Sequence, residues 1–219
     1  MRDTDRVSAL EARAASGDRL FSPSSSRNKA PIADAFADLG LTSGAILEIA
    51  SGTGEHAAHL CARYAGLVWQ PSDPDEASRR SAASWAQTVP DGRVRALLAL
   101  DVCDPAWWRH VPEAPDAVFC ANMIHIAPWA AAEGLVRGAA ALLGGGGGGS
   151  LVLYGPFSRR GAMTEGNRRF DASLRARDPA YGVRDLDDQV QPLAARHGLA
   201  LARIIDMPTG NLTVLFEPN

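Results

Sequence analysis

Only one lysine, Lys29, stands among the 22 basic residues of this chain, and the formal charge is −3. Nucleic-acid binding is therefore not expected, since it asks for a concentrated basic surface. The three cysteines, Cys61, Cys103 and Cys120, are odd in number and widely spaced, which excludes a disulfide framework and a zinc-ligand pattern. Buried thiols that behave as small hydrophobes are the default expectation, and no metal is expected. No run approaches the ~20 apolar residues that span a bilayer. The first residues carry Arg2, Asp3, Asp5, Arg6, Glu11 and Arg13 with no apolar core, unlike a secretory leader. A cytoplasmic location and no membrane partner are expected.

The chain's 219 residues, 46% hydrophobic and 21% charged, are enough for one α/β domain and short for two. Residues 1–24 read as a flexible N-terminal arm or weak helix and 25–219 as a single domain. Ala30–Leu39 reads as a helix, with Pro31 in its first turn and Ile32, Phe36 and Leu39 at helical spacing. Strand and helix signals then alternate. Strands are expected at 45–50, 67–69, 94–100, 116–121 and 151–154. Helices are expected at 55–64, 76–88, 128–143, 167–177 and 186–197. A hairpin of 199–207 and 211–216 closes the chain. This alternation predicts a mostly parallel sheet of seven strands, a C-terminal antiparallel hairpin and helices on both faces. Gly144–Gly149 falls between helix and strand and reads as a flexible turn or a linker. Phe157–Gly166 lacks periodicity and reads as a mobile cover.

The most informative segment is Ile46-Leu-Glu48-Ile-Ala50-Ser51-Gly52-Thr-Gly54-Glu-His56. A hydrophobic strand bearing an acid runs into a loop of small residues and then a helix. Small residues let a ligand approach the backbone, and a helix start supplies unpaired N–H groups. Ala50, Gly52 and Gly54 fall at alternate positions, unlike the G-x-G-x-x-G dinucleotide loop, and no phosphate-loop lysine follows. Glu48 would be unhelpful beside a pyrophosphate but suits a ligand carrying an ammonium and a sulfonium. Asp73, or failing it Asp75, follows the second strand, where ligands of open α/β sheets lie and where a carboxylate can take ribose hydroxyls; Asp-Pro pairs also form turns and cap helices. Asp101 and Val102 follow the third strand, placed to meet an adenine edge. Asn122, His125 and Trp129 follow the fourth, and His125 is a candidate general base by its near-neutral pKa, or a packed, locally bonded histidine.

The strand, loop and acids follow the pattern of class I methyltransferases, with Ala50 in place of the first glycine. More particularly, Arg27-Asn28-Lys29 with Pro31, Glu48 through His59, Trp69-Gln-Pro-Ser-Asp73, Asn122-Met-Ile-His125, Tyr154-Gly-Pro156, Asn167, Phe170-Asp171, Arg175 to Pro179, Gly182 to Asp185 and Asp206-Met-Pro208 together resemble one family. It is the methyltransferase-like proteins of bacteria and animals long held as a domain of unknown function, whose animal member is methyltransferase-like protein twenty-six. The likeness runs from about residue 20 to the C-terminus. Ser26 and Gly210 stand where that family usually has Glu and Asn. The resemblance implies a Rossmann-like methyltransferase fold, with S-adenosylmethionine as donor and S-adenosylhomocysteine as product.

On this basis Glu48, Ala50, Ser51, Gly52, Gly54, His56, Asp73, Asp101, Val102 and Asn122 are expected to bind the donor. His125 or Tyr154 is expected to touch a small-molecule acceptor, under a lid of Arg27, Asn28, Asn167, Asp171 and Arg175, with Trp129 alongside. Trp69, Trp107, Trp108, Trp129, Tyr154 and Phe157 could together suit an electron-rich ring such as an indole or phenol. Two rivals share some of these features: a non-catalytic protein that binds the donor as a regulator, and a nicotinamide-dependent oxidoreductase, which the glycine spacing and Glu48 disfavour.

Overall fold

The structure is a computed structural model that describes residues 12–144 and 148–219. Residues 1–11 of the expected arm and Gly145–Gly147 of the glycine run lie outside the described residues.

A small antiparallel hairpin, β1 (Ala14–Ser16) and β2 (Arg19–Phe21), opens the described chain. Helix α1 (Pro23–Asp38) follows, then β3 (Ser43–Ile49), α2 (Glu55–Arg63), β4 (Gly66–Ser72) and α3 (Glu76–Ala86). The second half runs β5 (Ala117–Ala121), α4 (Trp129–Leu143), β6 (Ser150–Gly155), α5 (Glu165–Arg177), α6 (Gln191–Arg196), β7 (Leu199–Asp206) and β8 (Leu212–Pro218). The main sheet has the order β4-β3-β5-β6-β8-β7. Its first four strands are parallel and β8 is antiparallel to both neighbours.

Alternation along the strands sends side chains into two cores. Leu47, Ile49, Val118, Cys120, Leu151 and Leu153 pack against α4 and α6. Ile46, Ala117, Phe119, Val152 and Tyr154 pack against α1 and α2. Phe36 of α1 meets Trp69 and Phe119 at ring-centroid distances of 5.7 and 5.2 Å, which seats this helix on the sheet. Each fully buried aromatic of this kind contributes about 1.5–3 kcal/mol of burial energy.

Two expectations are corrected. The sheet has six strands, not seven. The segment expected as a strand over 94–100 touches the outer edge of β4 through isolated bridges, Trp69 to Val94 and Ser72 to Leu98. The reason lies in β4. Trp69 and Asp73 donate their N–H groups to Arg93 and Leu98, but Pro71 between them has none. A proline on a sheet edge interrupts the ladder there, and the Gln70 side chain takes up the carbonyl of Ala96 instead.

The second correction concerns the N-terminus. Helix α1 begins at Pro23, not Ala30, because Ser22 accepts from the Ser25 N–H and Pro23 fits the first turn. Pro31 thus lies inside the helix, where it removes one backbone hydrogen bond. The hairpin before it is docked on α3: the Leu20 N–H donates to Ser81 Oγ at 2.8 Å and Trp85 Nε1 donates to the Leu20 carbonyl at 2.9 Å.

Candidate functional site

The chain leaves β3 toward β4 on one side and β5 on the other, so the strand order reverses beside β3. In open α/β sheets this is where ligands bind, beyond the carboxyl ends of the strands. Two non-glycine residues in left-handed backbone flank that point: Ala50 (φ 57°) after β3 and Asn122 (φ 61°) after β5. Such strain concentrates at functional sites. Both residues line a cavity of about 490 Å³, within the ordinary range for ligand sites.

The loop Ala50–Gly54 forms one wall. Gly52 and Gly54 have φ of 57° and 89°. A β-carbon at Gly54 would come within 2.6 Å of Ala82 Cβ, so glycine is what lets α2 approach α3. At Gly52 the added β-carbon would meet one described group within 4 Å, the Arg13 guanidinium at 3.6 Å. The loop is tied to β4: Ser51 exchanges bonds with Ser72, and the Gly52 N–H donates to Asp73 Oδ2 at 2.9 Å. Asp73 also accepts from the Asp75 N–H and is 5% exposed. Burial raises its carboxyl to about 6, with the two N–H donors opposing. Asp75 itself caps α3 by accepting from the Ser78 N–H.

A buried polar chain forms the floor. Glu48, 1% exposed, accepts from Trp69 Nε1 at 2.9 Å and lies 3.4 Å from His56 Nδ1. His56 Nε2 is 2.9 Å from Asn28 Oδ1. The Tyr154 hydroxyl, near enough to Asn28 to be influenced by it, accepts from Asn211 Nδ2 at 2.7 Å. Glu48 therefore orients a wall residue and does not itself line the cavity. Burial raises the Tyr154 hydroxyl above the ordinary phenol value, against the pull of Asn211, Asn28 and Arg27. Tyr154 is thus a neutral hydrogen-bonding group near neutral pH, not a phenolate base.

The cavity gathers Ala50, Ser51, Gly52, His56, Asn122, Arg27, Asn28, Tyr154 and Asn167 of the residues expected from sequence. Asn167 Nδ2 holds the Gly210 carbonyl at 2.8 Å, which sets the turn before β8 against the cavity.

Others stand elsewhere. His125, 0% exposed, is behind the wall. Its Nδ1 accepts from the Arg184 N–H at 3.1 Å, which places the ring proton on Nε2, and that atom has no partner among the described residues. It abuts Gly155, where a β-carbon would come within 2.7 Å of the ring. Burial first, then Arg184, lowers His125 to about 3, so it is neutral through the physiological range. These facts correct the general-base candidate. Trp129 is likewise outside the cavity, with the Arg184 guanidinium 5.6 Å from its ring centre. Asp171 and Arg175 pair with each other at 2.8 Å, and Asp171 accepts from the Val183 N–H, so they brace residues 178–183. Asp101 is exposed and accepts from the Cys103 N–H, while the Val102 carbonyl packs on Gly134. Gly54 and Asp73 lie just behind the lining.

The aromatic pocket does not assemble. Trp69, Trp107 and Phe157 are in the cores, Trp108 is outside the cavity, and of the aromatic rings Tyr154 and Phe170 line it. Nor is 157–166 a loose cover: Asp185 accepts from Ser158 Oγ and from the Arg160 and Gly161 N–H groups. Sequence reasoning missed Arg13, Thr209 and Asn211 as lining residues. Their one signal was position, since Asn211 sits at the turn into the last strand. Among the described residues no cluster of His, Cys, Asp and Glu could hold a metal, and no helix is long and apolar enough to cross a membrane.

The sequence profile of the family described as "Protein of unknown function (DUF938)" matches residues 19–218. Solved structures share the fold. An O-methyltransferase family protein from Burkholderia thailandensis superposes with a TM-score of 0.71 at 20% identity, covering 89% of this chain and 57% of that one. Human N-acetylserotonin methyltransferase, in complex with its methyl donor, gives 0.70 at 13% identity, covering 90% and 53%. Magnesium protoporphyrin IX methyltransferase from Synechocystis PCC 6803 gives 0.65 at 17% identity, covering 88% and 83%. This chain spans a little over half the length of the first two.

Proposed function

The chain belongs to the DUF938 family, and from the geometry of its cavity we propose that it transfers a methyl group from S-adenosylmethionine to a small molecule. One observation carries this reading: a strained small-residue loop, Ala50–Gly54, walls a cavity at the reversal of strand order with Asp73 held against it. The loop lacks the lysine of a phosphate site, and its lining fits a nucleoside with a compact charged tail. Structures of the same fold with this donor or its product bound support the reading.

The fit to the donor rests on the cradle itself. Gly52 leaves open space that a β-carbon would enter. Asp73, just behind the lining, is tied to the loop by the Gly52 N–H and is the carboxylate assigned to the ribose hydroxyls in this reading. Ala50, Ser51, Gly52, Thr53 and Asn122 would hold the donor, with His56 braced from behind by Glu48. When bound, S-adenosylmethionine supplies a methyl group already activated on a sulfonium. The protein's own contribution is then proximity, orientation and exclusion of water. Tyr154, Asn28 and Asn211 form a fixed hydrogen-bonding wall for the acceptor.

Calorimetric titration with S-adenosylhomocysteine tests this reading. Wild-type protein should bind it, and Gly52→Val, which fills the cradle, should not. A folded wild-type protein indifferent to saturating S-adenosylhomocysteine would refute it.

A further inference from the structure

Arg13 reaches the cavity from the opening hairpin, as the residue just before β1. β1 itself has no core burial: Ala14, Ala15 and Ser16 are all exposed. It is ordered by its ladder with β2, which pairs Ala14 with Phe21 and Ser16 with Arg19. β2 is in turn fastened to α3. Besides the two bonds of Leu20, Arg19 Nη2 donates to the Ser84 carbonyl at 2.8 Å, and the Arg19 guanidinium lies 4.8 Å from the Trp85 ring centre. Phe21 meets the same tryptophan edge-on at 5.3 Å. The Ser22 N–H, next along, donates to Glu55 Oε2 at 2.8 Å. A two-stranded hairpin alone is marginal in water, so these contacts hold β1, and with it Arg13, in place.

The Arg13 guanidinium joins two walls. Nη1 donates to Ser78 Oγ at 3.3 Å, in the first turn of α3. Nη2 faces the cradle, 3.6 Å from where a β-carbon on Gly52 would lie. The N–H of that same glycine donates to Asp73 Oδ2 at 2.9 Å. A guanidinium donor and a carboxylate acceptor thus flank one residue of the loop. A vicinal diol matches such a pair: a hydroxyl donates to the carboxylate, and a hydroxyl oxygen accepts from the guanidinium. A sulfonium or ammonium would be repelled by the arginine, so the cationic end of the donor belongs away from this corner.

We propose that Arg13 is a nucleoside-binding residue whose guanidinium donates to the ribose hydroxyls across Gly52 from Asp73, and that the N-terminal hairpin is the clasp that sets it there. This rests on the methyltransferase reading of the same cavity. The donor's carboxylate is the other group a guanidinium could take, and the experiment separates the two.

Wild type and Arg13→Met are titrated by calorimetry with S-adenosylhomocysteine and with 5′-methylthioadenosine, which keeps the ribose and adenine but lacks the amino-acid carboxylate. The proposal expects Arg13→Met to weaken both by about fivefold or more and to the same extent, the loss of a hydrogen bond from a charged donor. Loss of S-adenosylhomocysteine alone, with 5′-methylthioadenosine retained, assigns Arg13 to the carboxylate and overturns it. Hydrogen exchange at the Leu20 and Ser22 N–H groups, whose partners are Ser81 and Glu55, reads hairpin docking apart from Arg13. Their protection should be the same in both proteins, and protection lost together with affinity would make Arg13 a docking residue and overturn the proposal. If wild type binds both nucleosides and the variant binds them as tightly, the proposal alone falls. If wild type binds neither, the methyltransferase reading falls and takes the proposal with it. Arg13→Gln is read by the same criteria if the methionine variant fails to fold.

Discussion

Two glycines two residues apart in the loop after β3 should fail in opposite ways when each is changed to alanine. Both have positive φ, so a β-carbon at either costs about 1–2 kcal/mol of backbone strain. Gly54→Ala adds a collision with Ala82, the new carbon falling 2.6 Å from Ala82 Cβ and nearer still to its Cα. Those atoms belong to the body of α3 and cannot swing aside. Overpacking of this kind costs about 1–3 kcal/mol, so Gly54→Ala should lose about 2–5 kcal/mol in total. That is a large part of the ~5–15 kcal/mol that holds a typical domain together. At Gly52 the new carbon finds Arg13 at 3.6 Å, an ordinary contact, so stability should fall by the strain alone. The carbon enters the cradle instead, and S-adenosylhomocysteine affinity should fall about tenfold or more. Urea unfolding and calorimetric titration of both variants measure the two losses. If Gly54→Ala unfolds at the wild-type urea concentration, the close approach of α2 and α3 is not what that glycine serves. If Gly52→Ala binds S-adenosylhomocysteine like wild type, the loop is not its cradle.

Asp73, raised to about 6 by burial, must ionise to serve ribose hydroxyls, so S-adenosylhomocysteine affinity should climb between pH 5 and 7 and then level; a flat profile in calorimetry at several pH values would remove it from the site. The same raised value means the folded state holds a proton that the unfolded state releases, so Asp73 contributes a fall in stability as pH rises from about 4 to 6. His125 has the opposite sign: lowered to about 3, it leaves the unfolded chain binding a proton that the fold refuses, so stability should drop as pH falls below about 6.5. His125→Gln should remove that dependence, read as one fewer proton taken up on unfolding, and leave S-adenosylhomocysteine affinity intact. Tyr154→Phe leaves Asn211 Nδ2 without its partner, for a loss of about 1–3 kcal/mol in urea unfolding; wild-type stability would show the hydroxyl is not part of the floor.

The loop wall of the cavity was legible because its signal is local. Small residues between a buried strand and a helix can do few things, and Ala50, Ser51 and Gly52 line the cavity. The rest of the cavity was less legible, because its residues come from α1, β6, α5 and the turn before β8, and nothing in their spacing says they meet. His125 shows the limit. A histidine after the fourth strand reads as reactive, yet its environment is set by Arg184, distant in sequence, which bonds the Ile124 and Ala127 carbonyls and so folds the 122–129 loop over it. Tyr154 faces the cavity because alternation along β6 sends it to the α1 side while Leu153 goes to the α4 side. The same alternation is visible in the sequence, but which face holds the ligand is not.

The missing seventh strand and the extra N-terminal order share one cause: backbone hydrogen bonding decided by single residues. Pro71 withholds one N–H in the middle of the edge of β4, and the 94–98 segment answers by touching that edge above and below the gap. Glu55, buried at the start of α2, needs donors, and takes the Ser22 N–H, Ser26 Oγ and Lys29. A carboxylate so placed is costly unless satisfied, so it draws the start of α1 down onto the loop that follows β3. That anchoring sets Arg27 and Asn28, one turn further along α1, at the mouth and floor of the cavity. The lone lysine of the chain therefore has a structural use: it helps neutralise the acid that fastens α1 to the start of α2.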